Sequence, residues 1–357
     1  MIKVLVVEDS PVAREFLVHI LDSDPEIKVI GTAANGKQAL EAVKQKTPDV
    51  ITMDVHMPEM DGFEATRRIM ETSPTPIVIV TASLDPAEVG TSFRAIEAGA
   101  LAAIPRPRGL GHPKFDADAS ELIKTVKLMS EVKVVKRWHR ARLAPSNAPV
   151  REIEVNDDPR EVQIVAIGAS TGGPIALQTL LSGLPKDFSA PVLIVQHMAP
   201  GFTDGFVQWL NQTSSLPVHL ATHGEAMLCG HVYVAPDSFQ MGVNVRGRIA
   251  LSQDAAEYGL RPAVSFLFRS LTEVYGGKTV GVLLTGMGKD GAAELHSMKE
   301  QGAVTFAQDG ESSVVHGMPG EAIKLEAATY VLPPAKIAAA LQILVKKPVT
   351  RDRSVGL

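Results

Sequence analysis

Short apolar runs alternate with amphipathic stretches through about the first 105 residues of the chain. The stretches 12–21 and 36–45 carry their apolar side chains at helical spacing,. The apolar runs predict strands at 3–7, 27–33, 49–54, 76–82 and 100–104. Such a strand–helix alternation favours a parallel sheet with helices on both faces.

A second series of the same kind starts near residue 161. It predicts strands at 162–168, 191–197, 231–236, 248–253, 279–286 and 303–308, and helices at 173–184, 201–212, 262–276 and 290–302,. Between the two series, 133–150 is rich in Lys and Arg and lacks acidic residues, which is typical of a linker,. The pattern therefore predicts two doubly wound parallel-sheet α/β domains, 1–125 and 161–347, joined by a linker over 126–160.

Charge, cysteine count and the lengths of the apolar runs argue against nucleic-acid binding, secretion and membrane insertion. The formal net charge of −5 gives no general attraction to nucleic acid or to an anionic membrane, and no helix-turn-helix pattern follows the linker,. The single cysteine, Cys229, excludes an internal disulfide and fits a reducing compartment,. The opening apolar run is too short for a secretory signal, and no run is long enough to span a bilayer,. We therefore expect a soluble, cytoplasmic protein with no nucleic-acid partner and no membrane insertion.

Three acidic residues lie at predicted strand ends of the first domain. Glu8 and Asp9 follow the first strand, and Asp54 ends the third. In a parallel sheet these ends share one edge, where open α/β folds bind ligands. Because clustered carboxylates repel one another unless a hard cation joins them, the pattern favours Mg²⁺, with Thr81 at the next strand end ready to bond a phosphoryl oxygen. The alternative is that these acids are ordinary solvated loop residues.

The segments VVEDSPVARE, ITMDVHMPEMDGFEATRRI and VIVTAS resemble the receiver domain of two-component response regulators. The resemblance covers residues 1 to about 125 and implies a flavodoxin-like fold with Mg²⁺-dependent phosphorylation. It assigns the phosphoryl group to Asp54, its sensing to Thr81, and the metal to Glu8, Asp9, Asp54 and the backbone carbonyl of His56.

The chain departs from the receiver pattern at two positions. The family usually has Lys-Pro after the fifth strand, but this chain has IPRP, so Arg106 takes the position of the phosphoryl-sensing lysine. Arginine keeps the positive charge with a different reach and geometry. Ala103 stands where the family often has an aromatic side chain that reports the switch. Both departures predict a weaker coupling of phosphorylation to the rest of the protein.

The segment GASTGGP (168–174) of the second domain follows a predicted strand and opens a predicted helix. Ser170 stands on a turn that glycines open, as in a nucleophile elbow, and Pro174 suits a first helical turn. The free N–H groups at that helix end could stabilise a phosphate or an oxyanion, so the segment alone does not choose between them. An ordinary strand–helix turn is a third possibility.

Two further strand ends carry groups that suit a catalytic triad with Ser170. His197 ends one predicted strand and Asp290 follows another, so both are expected at the same sheet edge. His197 can then take the serine proton while Asp290 orients the imidazole. Other candidates lack a matching context: His219, His223, His231, His296 and His316, and Cys229, which we expect to be a small buried residue,.

The segments IGASTGGP, LIVQHM, LTGMGKDG and QDGESSVVHGMP together resemble the CheB family of chemotaxis receptor methylesterases. With the receiver, the resemblance spans nearly the whole chain and implies a Rossmann-like three-layer α/β/α esterase domain. It implies that Ser170 is the nucleophile, His197 the base and Asp290 the orienting carboxylate. It also gives Thr171 as a supporting hydroxyl and the Met287 backbone N–H as an oxyanion donor.

The activity implied by this resemblance is hydrolysis of glutamate γ-methyl esters, and deamidation of specific glutamines, on cytoplasmic helices of a methylated chemoreceptor. The implied phosphodonor is a histidine kinase of the CheA type, and no cofactor is expected in the catalytic domain. The family often has His-Arg-Pro-Ser before the helix at 262, where this chain has Leu260 and Ala263 at the outer positions. A response regulator whose C-terminal domain is a catalytically vestigial partner-binding module therefore remains the alternative.

Overall fold

A computed structural model of the chain describes residues 1–82, 86–132, 134 and 162–345. The first sheet has five strands, all paired in parallel in the order β2-β1-β3-β4-β5. They are β1 (Ile2–Val7), β2 (Ile27–Ala33), β3 (Val50–Met53), β4 (Ile77–Thr81) and β5 (Ala102–Pro105). The predicted parallel sheet is confirmed.

Five helices connect and follow these strands: α1 (Pro11–Asp22), α2 (Gly36–Lys46), α3 (Gly62–Thr72), α4 (Pro86–Ala98) and α5 (Phe115–Ser130). Side-chain caps start three of them, α1, α2 and α3, and the caps of α1 and α2 lie just beyond strand ends. Ser10, Asn35 and Asp61 accept hydrogen bonds from the backbone N–H three residues on, which satisfies a donor that the helix leaves open,. The caps at Ser10 and Asn35 therefore fix where α1 and α2 begin after the carboxyl ends of β1 and β2.

The second sheet has seven parallel strands in the order β14-β13-β12-β6-β7-β9-β8. They are β6 (Ile164–Ala169), β7 (Val192–Gln196), β8 (Val218–Leu220), β9 (Val232–Val234), β12 (Thr279–Leu283), β13 (Val304–Gln308) and β14 (Tyr330–Leu332). The chain leaves β6 toward β7 on one side and later returns to β12 on the other. The loop after β6 is thus at the topological switch point, where open α/β sheets bind ligands.

The helices that connect and follow the strands of the second sheet are α6 (Gly173–Ser182), α7 (Thr203–Thr213), α8 (Val264–Tyr275), α9 (Ala292–Glu300), α10 (Met318–Lys324) and α11 (Pro334–Leu344). The core between sheet and helices includes large fully buried side chains such as Phe268 and Phe306. None of the helices within the described ranges is both long and apolar enough to cross a bilayer.

The strand predicted at 248–253 does not belong to the parallel sheet. It is β11 (Ile249–Ser252) and pairs antiparallel with β10 (Gln240–Val243) in a separate two-stranded sheet. The connection between the two is too short for a parallel crossover. Asn244 closes it by accepting hydrogen bonds from the N–H groups of Arg246 and Arg248. The alternating pattern identified a strand but not its partner.

The predicted linker lies mostly outside the described residues. Helix α5 continues to Ser130, so ordered helix extends beyond residue 125. Because most of the predicted linker is not described, the domain boundaries at 125 and 160 stay a prediction.

Candidate functional site

Ser170 and His197 follow neighbouring parallel strands. Ala169 pairs with Gln196 in the β6–β7 register, and the His197 N–H donates to the carbonyl of Ala169 at 2.9 Å. Since paired strands run about 4.8 Å apart, the backbones of Ser170 and His197 are adjacent. The expectation that these residues share a sheet edge is confirmed.

Glycines shape the turn that carries Ser170. A Cβ on Gly168 would lie 2.3 Å from a methyl group of Val264, so only glycine lets β6 pass beneath α8. Gly172 has a φ of 79°, in the left-handed region that favours glycine,. The Gly173 N–H donates to the carbonyl of Ser170 at 2.8 Å, and α6 begins there. Ser170 therefore stands between a strand end and the N-terminus of a helix.

Asp290 lies in the loop after β12 and binds the imidazole of His197. The Nε2 atom of His197 is 2.9 Å from Oδ2 of Asp290, and their side chains are only 8% and 2% exposed. Two backbone N–H groups at the start of α8 also donate hydrogen bonds to the carboxylate of Asp290. Val264 N–H donates to Oδ2 at 2.7 Å, and Ser265 N–H donates to Oδ1 at 2.9 Å.

These contacts keep Asp290 ionised although it is buried. Burial alone raises the pKa of Asp290, but the hydrogen bond and charge of His197 and the hydrogen bond from the Ser265 N–H hold that pKa below its ordinary value,. The positive end of the α8 dipole acts in the same direction. The site therefore holds a fixed negative charge against the imidazole.

The loop that carries Met287 is braced from two sides. The Thr285 N–H donates to the buried side chain of Gln308 at 2.8 Å, and the Thr285 hydroxyl exchanges hydrogen bonds with the backbone of Val315. The carbonyl of Gly286 accepts from the N–H groups of the segment 317–318. Met287 is 43% exposed, and within the described part of the chain its N–H makes no hydrogen bond. That N–H can therefore serve an external acceptor. Sequence reasoning missed Gln308 and Thr285, although both lie in the motifs that carried the resemblance.

The five histidines that lacked a strand-end context for a catalytic role have other partners. His219 and His231 are 2.9 Å apart through their ring nitrogens, and the ring of His223 contacts the backbone of Leu251. The remaining two pair elsewhere, His296 with Glu300 and His316 with the carbonyl of Gln308. The expectation for Cys229 is wrong. It is exposed, because it lies in the turn that precedes β9 and not on a packed face.

The positions that depart from the family pattern before α8 keep backbone partners. The Ala263 N–H donates to the buried side chain of Gln240 at 2.8 Å, and Leu260 closes a tight turn by two backbone hydrogen bonds with Glu257. The start of α8, which holds Asp290, is therefore supported without polar side chains at 260 and 263.

The acidic residues of the first domain do converge. Carboxylate oxygens of Glu8, Asp9 and Asp54 all lie within 4.8 Å of one another, and Glu8 and Asp54 are buried. Burial, with the nearby charge of Asp54, raises the pKa of Glu8 to about 7, and burial also raises the pKa of Asp54. Within the described residues, Oε2 of Glu8 is buried and has no hydrogen-bond partner. An orphaned carboxylate oxygen among clustered carboxylates fits a divalent cation.

Arg106 reaches this cluster, with Nη1 3.2 Å from Oε1 of Glu8. Its backbone N–H donates to the carbonyl of Thr81, which is buried at the end of β4. The predicted positions of Arg106 and Thr81 are therefore consistent with a phosphoryl-sensing role. His56 is exposed in the loop after β3, and the part played by its carbonyl stays a prediction. Sequence reasoning missed Arg14, which donates to the carbonyls of Glu8 and Asp9 and fixes the loop that carries them.

Comparison with known proteins identifies both domains. The CheB methylesterase family model matches residues 165–341, and the response regulator receiver domain model matches residues 4–111. The crystal structure of the Thermotoga maritima CheB methylesterase catalytic domain covers 50% of this chain and 96% of its own, at 42% identity and a TM-score of 0.49.

Two relatives match over nearly their entire length. A protein-glutamate methylesterase/protein-glutamine glutaminase from Nitrosospira multiformis is 62% identical over 97% of this chain and 97% of the relative. A protein-glutamate methylesterase/protein-glutamine glutaminase from Geobacter metallireducens is 58% identical over 96% of this chain and 99% of the relative. In this chain the receiver-domain match precedes the CheB methylesterase match, and the chain belongs to the protein-glutamate methylesterase/protein-glutamine glutaminase family.

Proposed function

We propose that this protein hydrolyses glutamate γ-methyl esters, and deamidates specific glutamines, on the cytoplasmic helices of a chemoreceptor. The observation that carries the proposal is the buried His197–Asp290 pair beside the strand end that presents Ser170. A serine hydroxyl needs such a base to become nucleophilic near neutral pH. A cytoplasmic location follows from the proposed substrate.

The site residues supply each step of acyl transfer. Ser170 Oγ attacks the ester carbonyl while its proton passes to Nδ1 of His197, and Asp290 stabilises the imidazolium. The Met287 N–H stabilises the oxyanion of the tetrahedral intermediate, with Thr171 as a supporting hydroxyl. The proton on His197 is then given to the leaving methoxide, so methanol departs and Ser170 is acylated. Water then hydrolyses the acyl-enzyme, giving a proton to His197 and returning one to Ser170. With a glutamine substrate the same steps occur, and ammonia is the leaving group in place of methanol.

Methanol release from a methylated receptor tests this function directly. Purified protein should release methanol from receptor whose glutamates carry methyl esters, and Ser170→Ala should not. A receptor with glutamine at those positions should release ammonia. The alternative of a vestigial partner-binding domain predicts binding of the receptor without release of either product, and the intact His197–Asp290 pair argues against it.

We further propose that the receiver takes a phosphoryl group on Asp54 from a histidine kinase of the CheA type. Glu8, Asp9 and Asp54 would hold Mg²⁺ together with the carbonyl of His56, and the orphaned oxygen of Glu8 supports this fit. Mg²⁺ held by these residues would supply positive charge to offset the carboxylates and the phosphoryl group. Phosphorylation then regulates the esterase.

A further inference from the structure

Ser265 supports the Asp290 loop through more than its backbone. It is the second residue of α8 and is fully buried. Its N–H donates to Oδ1 of Asp290 at 2.9 Å, and its Oγ accepts the N–H of Gly291 at 2.9 Å. One residue thus contacts both the carboxylate of Asp290 and the backbone immediately after it.

The hydroxyl of Ser265 has a fixed direction. It donates to Oε2 of Glu294 at 2.6 Å, a short distance typical of a charge-assisted hydrogen bond,. The other oxygen of Glu294 lies 3.5 Å from Nη1 of Arg269, which compensates its charge. A hydroxyl has a single proton, so donation to Glu294 leaves its lone pairs for the Gly291 N–H. Hydrogen bonds in such a chain strengthen one another.

We propose that Ser265, with its hydroxyl oriented by Glu294, is a positioning residue that fixes Asp290 for its contact with His197. The proposal rests on the function proposed above for the triad and extends it to two residues outside the triad. Ser265 holds both the Asp290 carboxylate and the backbone immediately after it, and Asp290 in turn holds the imidazole.

Loss of the hydroxyl should impair turnover more than binding. In Ser265→Ala the Gly291 N–H loses its acceptor, so the Asp290 loop can shift. A misplacement of 1 Å can lower an enzymatic rate about 100-fold, and a partial shift should lower kcat about 10-fold with little change in KM. Glu294→Gln keeps an acceptor oxygen without the charge and should have a smaller effect in the same direction.

Ser270 on the same helix provides a matched control. Its Oγ accepts the N–H of Val243 at 2.7 Å and donates to the carbonyl of Val243 at 3.1 Å. Ser270→Ala therefore removes a comparable pair of hydrogen bonds from α8, but these lead to β10 and not to Asp290. It should cost similar stability and leave kcat close to the wild-type value.

The experiment compares the full-length wild type, Ser265→Ala, Ser270→Ala, Asp290→Asn and the double variant of Ser265 and Asp290. Methanol release gives kcat and KM, and proton NMR of protein with labelled histidines follows the downfield signal of the His197 Nε2–H. Ser265→Ala should shift or broaden that signal and lower kcat, whereas Ser270→Ala should do neither. Because Ser265 acts through Asp290, Ser265→Ala should have no further effect on kcat in the Asp290→Asn background.

Two results would overturn the positioning role. One is an unchanged His197 signal in Ser265→Ala with kcat equal to that of Ser270→Ala. The other is a full additional loss of kcat when Ser265→Ala is added to Asp290→Asn. If the wild type releases no methanol, the proposed function fails, and the NMR signal alone still decides whether Ser265 positions the pair.

Discussion

His197 presents Nε2 to Asp290, with 2.9 Å between Nε2 and Oδ2 of the carboxylate. A carboxylate that accepts hydrogen bonds requires the proton on Nε2, which leaves Nδ1 as the basic nitrogen. Because both side chains are almost fully buried, water screens their interaction weakly,. In the proposed mechanism, the nitrogen that accepts the proton of Ser170 is therefore Nδ1, on the side of the imidazole opposite Asp290.

Replacing members of the triad should have graded effects. Ser170→Ala removes the nucleophile and should lower kcat by about 10⁶-fold, the scale found for serine proteases. Asp290→Asn keeps the shape of the side chain but loses its charge and favours the wrong tautomer, so kcat should fall by about 10⁴-fold. Methanol release measures both, with circular dichroism as the control for folding. Turnover at the wild-type rate in Ser170→Ala would exclude Ser170 as the nucleophile.

The lowered pKa of Asp290 predicts how its contribution to stability depends on pH. Its folded pKa lies below its unfolded value, so the contribution is fully present above the unfolded pKa of about 4 and is lost as pH falls through the folded pKa,. Urea unfolding of the wild type and Asp290→Asn should therefore give free energies of unfolding that differ most near neutral pH. The difference should shrink in strong acid. A difference independent of pH would show that the ionised carboxylate adds no stability.

The convergence of Ser170, His197 and Asp290 could be predicted because parallel strands end at a common edge, and strand ends can be identified from local apolar runs. Their catalytic roles, which the family resemblance implies, stay a prediction. The choice of Nε2 could not be predicted, because it depends on where the start of α8 holds Asp290. That contact joins Val264 and Asp290, which are far apart in sequence and carry no periodic signal.

Two of the strands that were not predicted, β8 and β14, have three residues each, which gives an alternating pattern little room to show,. Length alone does not decide, because β9 is equally short and was predicted, whereas the longer helices α3, α4 and α11 were not. The placement of β11 in a hairpin depends on β10, which the apolar pattern did not reveal. In the acidic cluster, Glu8 and Asp54 were predicted from strand ends, whereas the support from Arg14 depends on a side chain that folds back from α1.

Phosphorylation should require both Asp54 and Mg²⁺. Asp54 is buried beside Glu8 and Asp9, and this concentration of negative charge needs a cation to admit a phosphoryl group,. Incubation with acetyl phosphate and Mg²⁺ should label the wild type, with labelling lost in EDTA and in Asp54→Ala. Mass spectrometry measures the added phosphoryl group. Equal labelling of Asp54→Ala would place the phosphoryl group on another residue.

The brace on the Met287 loop should matter for turnover. Gln308→Ala leaves the buried Thr285 N–H without its acceptor, which should cost about 1–3 kcal/mol of stability,. The freed loop should also misplace the Met287 N–H, so kcat should fall with a smaller change in KM. Urea unfolding and methanol release give the two quantities. A loss of stability with unchanged kcat would mean that the brace does not position the oxyanion donor.

The regulatory role of the receiver can be tested by its removal. We expect the receiver to inhibit the esterase, because tethering gives it an effective concentration on the order of millimolar, enough for a weak contact to form. Phosphorylation relieves such inhibition only as far as the phosphoryl group favours one state over the other. Because Arg106 and Ala103 depart from the usual switch pattern, that relief should be small. Deletion of residues 1–140 should therefore raise methanol release from receptor more than phosphorylation of the full chain does.

A small soluble ester provides the control for this deletion. An inhibitory receiver that obstructs a bulky receptor helix should affect a small ester less, so the truncated protein should gain more activity on receptor than on the ester. If the truncated protein is no faster on receptor than the unphosphorylated full chain, the receiver does not inhibit. Its role would then be recruitment of the esterase to a partner. In that case phosphorylation of the full chain should raise methanol release only when the partner is present.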